Sequence, residues 1–225
     1  MKTKSSIQDT YDEEDRKISQ IVIGICGKPG AGKDTLGGYL QNHFGFDAFA
    51  LKTPIEKVVQ TVFNVDNFHL YDRDAREQPL VKWPDWTVRK MLQAVGQSMR
   101  DIAGGDIWAK SLCNRMEANK KVVITDIRTP EDIKCIRGHI ESKGGSFILV
   151  MVKRPGFGAT TSGGFANHKL ESYNLEPECD IVLDNNGTEN ELFEQAKKYL
   201  KTQDVYPLVG DTTMTRTMMK ILEEQ

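Results

Sequence analysis

The sequence predicts a three-layer α/β fold built on a central parallel sheet, and three observations lead there. Short β-branched runs alternate with amphipathic stretches along most of the chain, which is the order of a parallel sheet covered by helices on both faces. The first such run, Ile21–Cys26, is followed at once by a glycine-rich turn and a helix start. The composition, 225 residues with 39% hydrophobic and 28% charged, suits one soluble core with room for an insertion or a tail. In such a sheet, ligands sit outside the carboxyl ends of the strands.

The elements follow in order. Residues 1–19 are polar and charged, including Asp12-Glu-Glu-Asp-Arg-Lys17, and read as a flexible extension. The domain spans 20–200. After the first strand, a helix runs from about Asp34 to His43, then a strand over Phe46–Leu51 and a helix from Pro54 to about Phe63, with proline at its favoured first turn. Residues 64–86 carry aromatics, charges and two prolines without clear periodicity, and read as a substrate-facing insertion. Helices are expected from about Trp86 to Ile102 and from Ile107 to Ala118. The strand Lys121–Thr125, the helix Thr129–Lys143 and the strand Ser146–Val152 complete the middle of the chain. A Gly-, Thr- and Ser-rich loop over about 154–170 reads as a mobile lid. The strand Ile181–Leu183, the turn Asp184-Asn-Asn-Gly187 and a helix from Glu189 to Leu200 close the domain, leaving a tail at 201–225.

Several classes are disfavoured. A net charge of −2 argues against a chain-wide basic surface for nucleic acid. No apolar run approaches the roughly 18 residues of a membrane span, and the first residues lack the apolar core of a signal peptide. Cys26, Cys113, Cys135 and Cys179 are far apart, with no C-x-x-C spacing, and read as free thiols in a reducing cytoplasm.

Gly27-Lys-Pro-Gly-Ala-Gly-Lys33 fits the G-x-x-x-x-G-K phosphate-binding loop, with its required context of strand before and helix after. Backbone amides around Gly30, Ala31 and Gly32 would turn toward phosphate oxygens, the helix N-terminus adds partial positive charge, and Lys33 reaches the β- and γ-phosphates. The next residue is usually Ser or Thr, whose hydroxyl ligates magnesium. Here it is Asp34, with Thr35 one step later. A carboxylate suits magnesium, directly or through water; Asp34 also suits a helix N-terminus on dipole grounds alone. Thr35 offers a hydroxyl toward an α-phosphate, with Leu36 beside it.

Two further constellations carry chemistry. On the helix after Trp86, Arg89, Gln93, Gly96 and Arg100 share one face at i, i+4, i+7 and i+11, and the apolar Val88, Met91, Leu92, Val95, Met99 and Ile102 fall on another. A glycine inside a helix costs about 1 kcal/mol relative to alanine and makes sense if a base or sugar packs against it; a solvated polar face reads equally well. At the end of the strand Lys121–Thr125, Asp126 and Arg128 share one face if the strand continues. An acid and an arginine there suit phosphoryl transfer.

Gly-x-Pro-Gly-Ala-Gly-Lys-Asp-Thr, Arg89-Lys-x-Leu-Gln-x-x-Gly96 with Trp108 downstream, and Asp126-x-Arg128 with an acid at Asp132 together resemble the phage-type deoxynucleoside monophosphate kinases of the P-loop nucleoside monophosphate kinase superfamily. The resemblance covers about residues 20–200. Two positions depart from the family pattern: Gln97 where Thr is frequent, and Asp132 where Glu is usual. It implies a P-loop kinase fold with a lid, and ATP- and magnesium-dependent phosphorylation of deoxynucleoside 5′-monophosphates. It implies Asp34 at the metal, and Arg73 and Arg89 on the acceptor phosphate. It further implies Gln93 on base or sugar, Ile55 and Trp108 as pocket walls, Asp126 and Arg128 at the transferring group, and Arg154 against ATP. The expected setting is the cytoplasm, a host's if the gene is a phage's, with nucleotides as partners and a homodimer allowed. Another small-molecule P-loop kinase, acting on a ribonucleotide or a coenzyme precursor, and a non-catalytic nucleotide-binding module remain open alternatives.

Overall fold

The computed structural model describes residues 20–156 and 173–202, without side chains for the last two. The extension at 1–19, the tail from 203 and all of the expected lid beyond Gly156 lie outside the described residues.

Five strands form one all-parallel sheet in the order β2-β5-β1-β6-β7. These are β1 (Ile21–Cys26), β2 (Asp47–Phe49), β5 (Lys121–Ile124), β6 (Ser146–Lys153) and β7 (Ile181–Asp184). All six residues of β1 are buried, because it is the central strand with a neighbour on each edge and helices over each face. Its Ile-Val-Ile run therefore needs no polar alternation. One layer of the core packs Ile21, Ile23 and Ile25 against Leu36, Leu40 and Phe44 of α1 (Lys33–Phe44) and Leu192 and Ala196 of α7 (Glu189–Thr202). The other packs Val22 and Cys26 against Trp108, Leu112 and Met116 of α5 (Ile107–Met116) and Ile133, Ile136 and Ile140 of α6 (Pro130–Glu141). Each fully buried side chain of this size contributes roughly 1.5–3 kcal/mol. Among the described residues no helix is long and apolar enough to cross a membrane.

The segment expected as an unpatterned insertion has regular structure. After α2 (Thr53–Phe63), it holds α3 (Asn67–Tyr71), a 3-10 turn at Ala75–Glu77 and a hairpin of β3 (Pro79–Leu80) and β4 (Trp83–Thr87). It then enters α4 (Val88–Ala103). Val59, Val65, Leu70, Val88 and Met91 form a third, smaller core there. The Trp83 ring meets Phe63 edge-on and its Nε1 donates to Phe63 O at 3.3 Å. Short strands containing Pro79 and Pro84 leave no period to read, and α4 begins at Val88, two residues past the expected start, capped by Thr87, whose side chain accepts from the Lys90 N–H at 3.2 Å.

Two strands are shorter than expected for one reason. β2 stops at Phe49 because the chain turns there, and the N–H groups of Leu51 and Lys52 donate to the Asp126 carboxylate instead of a neighbouring strand. β5 stops at Ile124 as the chain turns to bring Asp126 there.

Candidate active site

The phosphate loop joins β1 to α1 through three glycines with positive φ, Gly27, Gly30 and Gly32, and the first and last are also crowded. Gly27 has φ 134° and Gly32 φ 103°. A Cβ on Gly27 would lie 2.3 Å from Val152 O, and one on Gly32 would lie 2.5 Å from Asn185 Nδ2. Both positions therefore exclude side chains on two grounds, conformation and space. The loop is held from outside by Asn185, buried in the turn after β7, whose Nδ2 donates to Ala31 O at 2.8 Å. That bond assigns Asn185 a structural part that its turn-like sequence context does not disclose.

Lys33 Nζ donates to Lys28 O at 2.9 Å, so the lysine lies along its own loop. Asp34 is exposed in the first turn of α1, and Thr35 is half-buried beside it. Leu36, expected beside the nucleotide, has its side chain in the core, and its N–H donates to Gly32 O at 3.0 Å. Among the described residues no cluster of three or more His, Cys, Asp or Glu side chains stands ready to cage a metal. One exposed carboxylate next to a phosphate loop fits a magnesium that arrives with a nucleotide and keeps most of its waters.

Two cavities open at the carboxyl end of the sheet. The first, of about 690 Å³, runs from Gly27, Lys28 and Lys33 past Lys153 and Arg154 to Tyr173 and Glu176. Arg154 is exposed on this wall, at the edge of the described residues. The second, of about 130 Å³, is enclosed by Lys52, Ile55 and Glu56 of the β2–α2 region, Arg76 of the 3-10 turn, Arg89, Gln93, Gly96 and Arg100 of α4, and Trp108 of α5. Asp126 and Arg128 line both.

The shared wall is built by Asp126. Its two oxygens accept from Leu51 N and Lys52 N, each at 2.9 Å. Arg115 Nη2 donates to Ala50 O at 2.7 Å, so three bonds pin the loop that edges the second cavity. Burial pushes the Asp126 carboxyl above the usual carboxylate range, while the two N–H bonds and the charges of Arg128 and Lys52 act against it. Because β5 has already ended, Asp126 is buried and Arg128 exposed, rather than both standing on one strand face.

The second cavity is lined by cations. Arg76 is half-buried, and its Nε is buried with no hydrogen-bond partner. Burial, then the nearby Arg89 charge, depresses its guanidinium, while Glu56 and Glu77 act in its favour. Asp72 Oδ1 accepts from Asp74 N at 3.1 Å and Ala75 N at 2.8 Å, fixing the turn that aims Arg76 inward. Arg73, the expected arginine of this stretch, is exposed and does not line the cavity. Arg89 is ion-paired with Glu77. Asp132 does not reach the cavity either: it is fully buried, and both its oxygens accept from Arg100 Nη2 at 3.0 Å. Asp132 thus positions Arg100. Trp108 Nε1 donates to Gly96 O at 3.0 Å, and a Cβ on Gly96 would be 3.4 Å from Ile55 Cδ1, so the glycine sits where α2 and α4 face across the cavity. Arg76, Arg100 and Glu56 were legible only in part. Arg100 shares the helix face of Arg89, whereas Arg76 and Glu56 needed the fold.

The chain therefore has the architecture of P-loop kinases: a parallel sheet whose central strand runs through a phosphate loop into a helix, with a cationic cavity beside it. A curated protein of Acanthamoeba polyphaga mimivirus, provisionally named a deoxynucleotide monophosphate kinase, is 28% identical over 193 residues, covering 78% of this chain and 93% of its own length. No family model matches the chain. Solved structures similar to it include TT1252 from Thermus thermophilus, at 16% identity over 82% of this chain and 98% of that one, with a TM-score of 0.48. A gluconokinase from Sinorhizobium meliloti 1021 is similar at 15% identity over 84% and 96%, TM-score 0.45. A shikimate kinase from Aquifex aeolicus is similar at 14% over 82% and 98%, TM-score 0.44. Likeness this distant carries no information on substrate.

Proposed function

We propose that the protein transfers the γ-phosphoryl group of ATP to a deoxynucleoside 5′-monophosphate, giving the diphosphate. One observation carries the reading: a cavity on the phosphate loop and a second, arginine-lined cavity meet at Asp126 and Arg128. Two phosphate-bearing molecules bound one in each would present their phosphates to each other at that junction. The mimivirus relative's name supports the choice of acceptor class, as do the Arg89–Gly96 helix and the Asp34 variant of the loop.

The residues divide the work. Amides of the Gly30–Gly32 turn and Lys33 hold the donor's phosphates, with Lys33 exchanging its bond to Lys28 O for one to phosphate. Asp34, with Thr35 nearby, would hold magnesium, which when bound neutralises charge on the donor's phosphates. Arg76, Arg89 and Arg100 hold the acceptor phosphate, and Gln93 reads the base or sugar against Ile55, Gly96 and Trp108. Arg128 faces both cavities and steadies the group in transit. Asp126 fixes the Leu51–Lys52 loop that edges the acceptor site. Catalysis here is chiefly positioning and charge neutralisation.

The test is ADP release with magnesium and ATP against dGMP, dTMP, dCMP, dAMP and their ribose forms. Turnover with one or more deoxy forms and little with ribose forms supports the reading. Turnover with ribonucleotides alone, or with none while ATP still binds, sends it to another acceptor or to a non-catalytic module. Asp34→Ala should lose magnesium-dependent turnover; unchanged activity and magnesium dependence would remove Asp34 from the metal.

A further inference from the structure

Cys26 and Cys179 have no part in that reading, yet the fold brings them together from 153 residues apart in the chain. Cys26 ends β1 and is fully buried; the next residue is Gly27, where the phosphate loop starts. Cys179 follows the 3-10 turn Glu176–Glu178 and is half-buried. Their sulfurs are 3.4 Å apart. Cys179 Sγ also lies 3.1 Å from Leu175 O, to which its S–H donates. Tyr173, Leu175 and Glu176, just before it, are the wall of the donor cavity facing Lys33. A sulfur–sulfur contact therefore already joins the base of the phosphate loop to the opposite wall of the cavity above it.

We propose that Cys26 and Cys179 are a redox modification site, a dithiol that closes to a reversible disulfide and clips the donor-cavity wall to β1. The co-reactant is a low-molecular-weight disulfide. The Cys179 thiolate attacks one of its sulfurs, forming a mixed disulfide and releasing one small thiolate. Cys26 gives up its proton to that thiolate, attacks the Cys179 sulfur and expels the second small thiolate, which takes up from solvent the proton that Cys179 released on forming its own thiolate. Two protein thiols are oxidised, one small disulfide is reduced to two thiols, and all protons are accounted for.

The order of attack follows from the surroundings. Cys26 is held protonated by its contact with Cys179 and by burial. Cys179 is the more acidic partner because the Cys26 S–H can donate to its thiolate, though burial, Asp180, Glu176 and Glu178 oppose this. Cys179 is also the accessible one. Bonding requires the sulfurs to close from 3.4 Å to about 2.05 Å. Cys26 is fully buried at the end of a central strand, in register with Met151 of β6, so the movement falls on the irregular segment carrying Cys179. That draws the Tyr173–Glu176 wall toward the phosphate loop and narrows the donor cavity.

The competing pair is Cys113 and Cys135, which also interact. Burial pushes the Cys113 thiol up to about 12 and the Cys135 thiol upward as well, so neither is an efficient attacking group.

The experiment treats the full chain with oxidised glutathione, maps peptides by mass spectrometry without reduction, and follows ATP affinity. The expected result is a Cys26–Cys179 linkage forming first, a several-fold weaker ATP affinity in the linked protein, and recovery of both on reduction. Cys179→Ser keeps a donor for Leu175 O and should fold normally, form no linkage to Cys26 and show no oxidant effect on ATP binding. Stable glutathione adducts on Cys179 without the internal bond, or linkage of Cys113 to Cys135 alone, would overturn the site. A linked protein with unchanged ATP affinity would overturn the clip. The linkage is read by mass, so this outcome is independent of which acceptor the protein phosphorylates.

Discussion

Asp132→Asn should weaken stability and acceptor binding together, through Arg100. The Asp132 side chain has 0% exposure and that of Arg100 10%, with one guanidinium nitrogen 3.0 Å from each carboxylate oxygen. Asparagine keeps one acceptor, removes the charge and turns an NH2 group against the guanidinium. Breaking a buried pair by removing one partner costs about 3–5 kcal/mol. Because one acceptor survives and Arg100 borders a cavity, a cost below that range, about 2–3 kcal/mol, is expected. For a chain of this size that is a fall of roughly 5–10 °C in Tm. Urea unfolding of wild type, Asp132→Asn, Arg100→Met and the double variant measures the coupling, expected above about 1.5 kcal/mol. Acceptor KM should rise in both single variants while ATP KM holds. A coupling below about 0.5 kcal/mol, or an unchanged acceptor KM in Arg100→Met, would refute the claim that Asp132 acts by holding Arg100 at the site.

Other expectations follow from the same geometry. Arg76→Ala should raise acceptor KM by roughly ten- to a hundredfold, the equivalent of a lost charge-assisted hydrogen bond of about 1.5–3 kcal/mol. Arg73→Ala, exposed and outside the cavity, should leave it unchanged; steady-state kinetics of the two variants decide between these arginines. Asn185→Ala removes the bond to Ala31 O and should destabilise by about 1–3 kcal/mol and raise ATP KM; equal ATP affinity would show that the loop holds its shape alone. Burial raises the Cys113 thiol from 9.0 to about 12, so the folded form keeps a proton that the unfolded chain loses. The stability this thiol contributes is present below 9.0 and lost as pH rises toward 12. Cys113→Ala should therefore flatten the alkaline fall in urea midpoints, and an unchanged slope would count against this role.

The sheet was legible because each strand is a compact apolar run and every gap between them is long enough for a helix. The phosphate loop was legible because Gly27, Gly32 and Lys33 are required residue by residue. The α4 stripe was legible because Arg89, Gln93, Gly96 and Arg100 repeat with the helix. What periodicity could not give was the arginine-lined cavity. Tyr71–Glu77 contains two arginines, and which one faces inward depends on the 3-10 turn braced by Asp72. Asp126 and Arg128 look like a strand-face pair until the Leu51 and Lys52 amides, 75 and 74 residues away, claim the carboxylate. Asp132 reads as a site acid, and only the approach of Arg100 from α4 shows it to be a support. Each of these depends on a partner distant in the chain, which local pattern does not encode.

The central claim is that two phosphate sites meet at Arg128, and label transfer tests it most directly. With ATP carrying a labelled γ-phosphoryl group, magnesium and a deoxynucleoside monophosphate, the account predicts the label as the β-phosphate of the deoxynucleoside diphosphate, with transfer strongly reduced by Arg128→Ala. Label released only as inorganic phosphate, or transfer unaffected by Arg128→Ala, would contradict it.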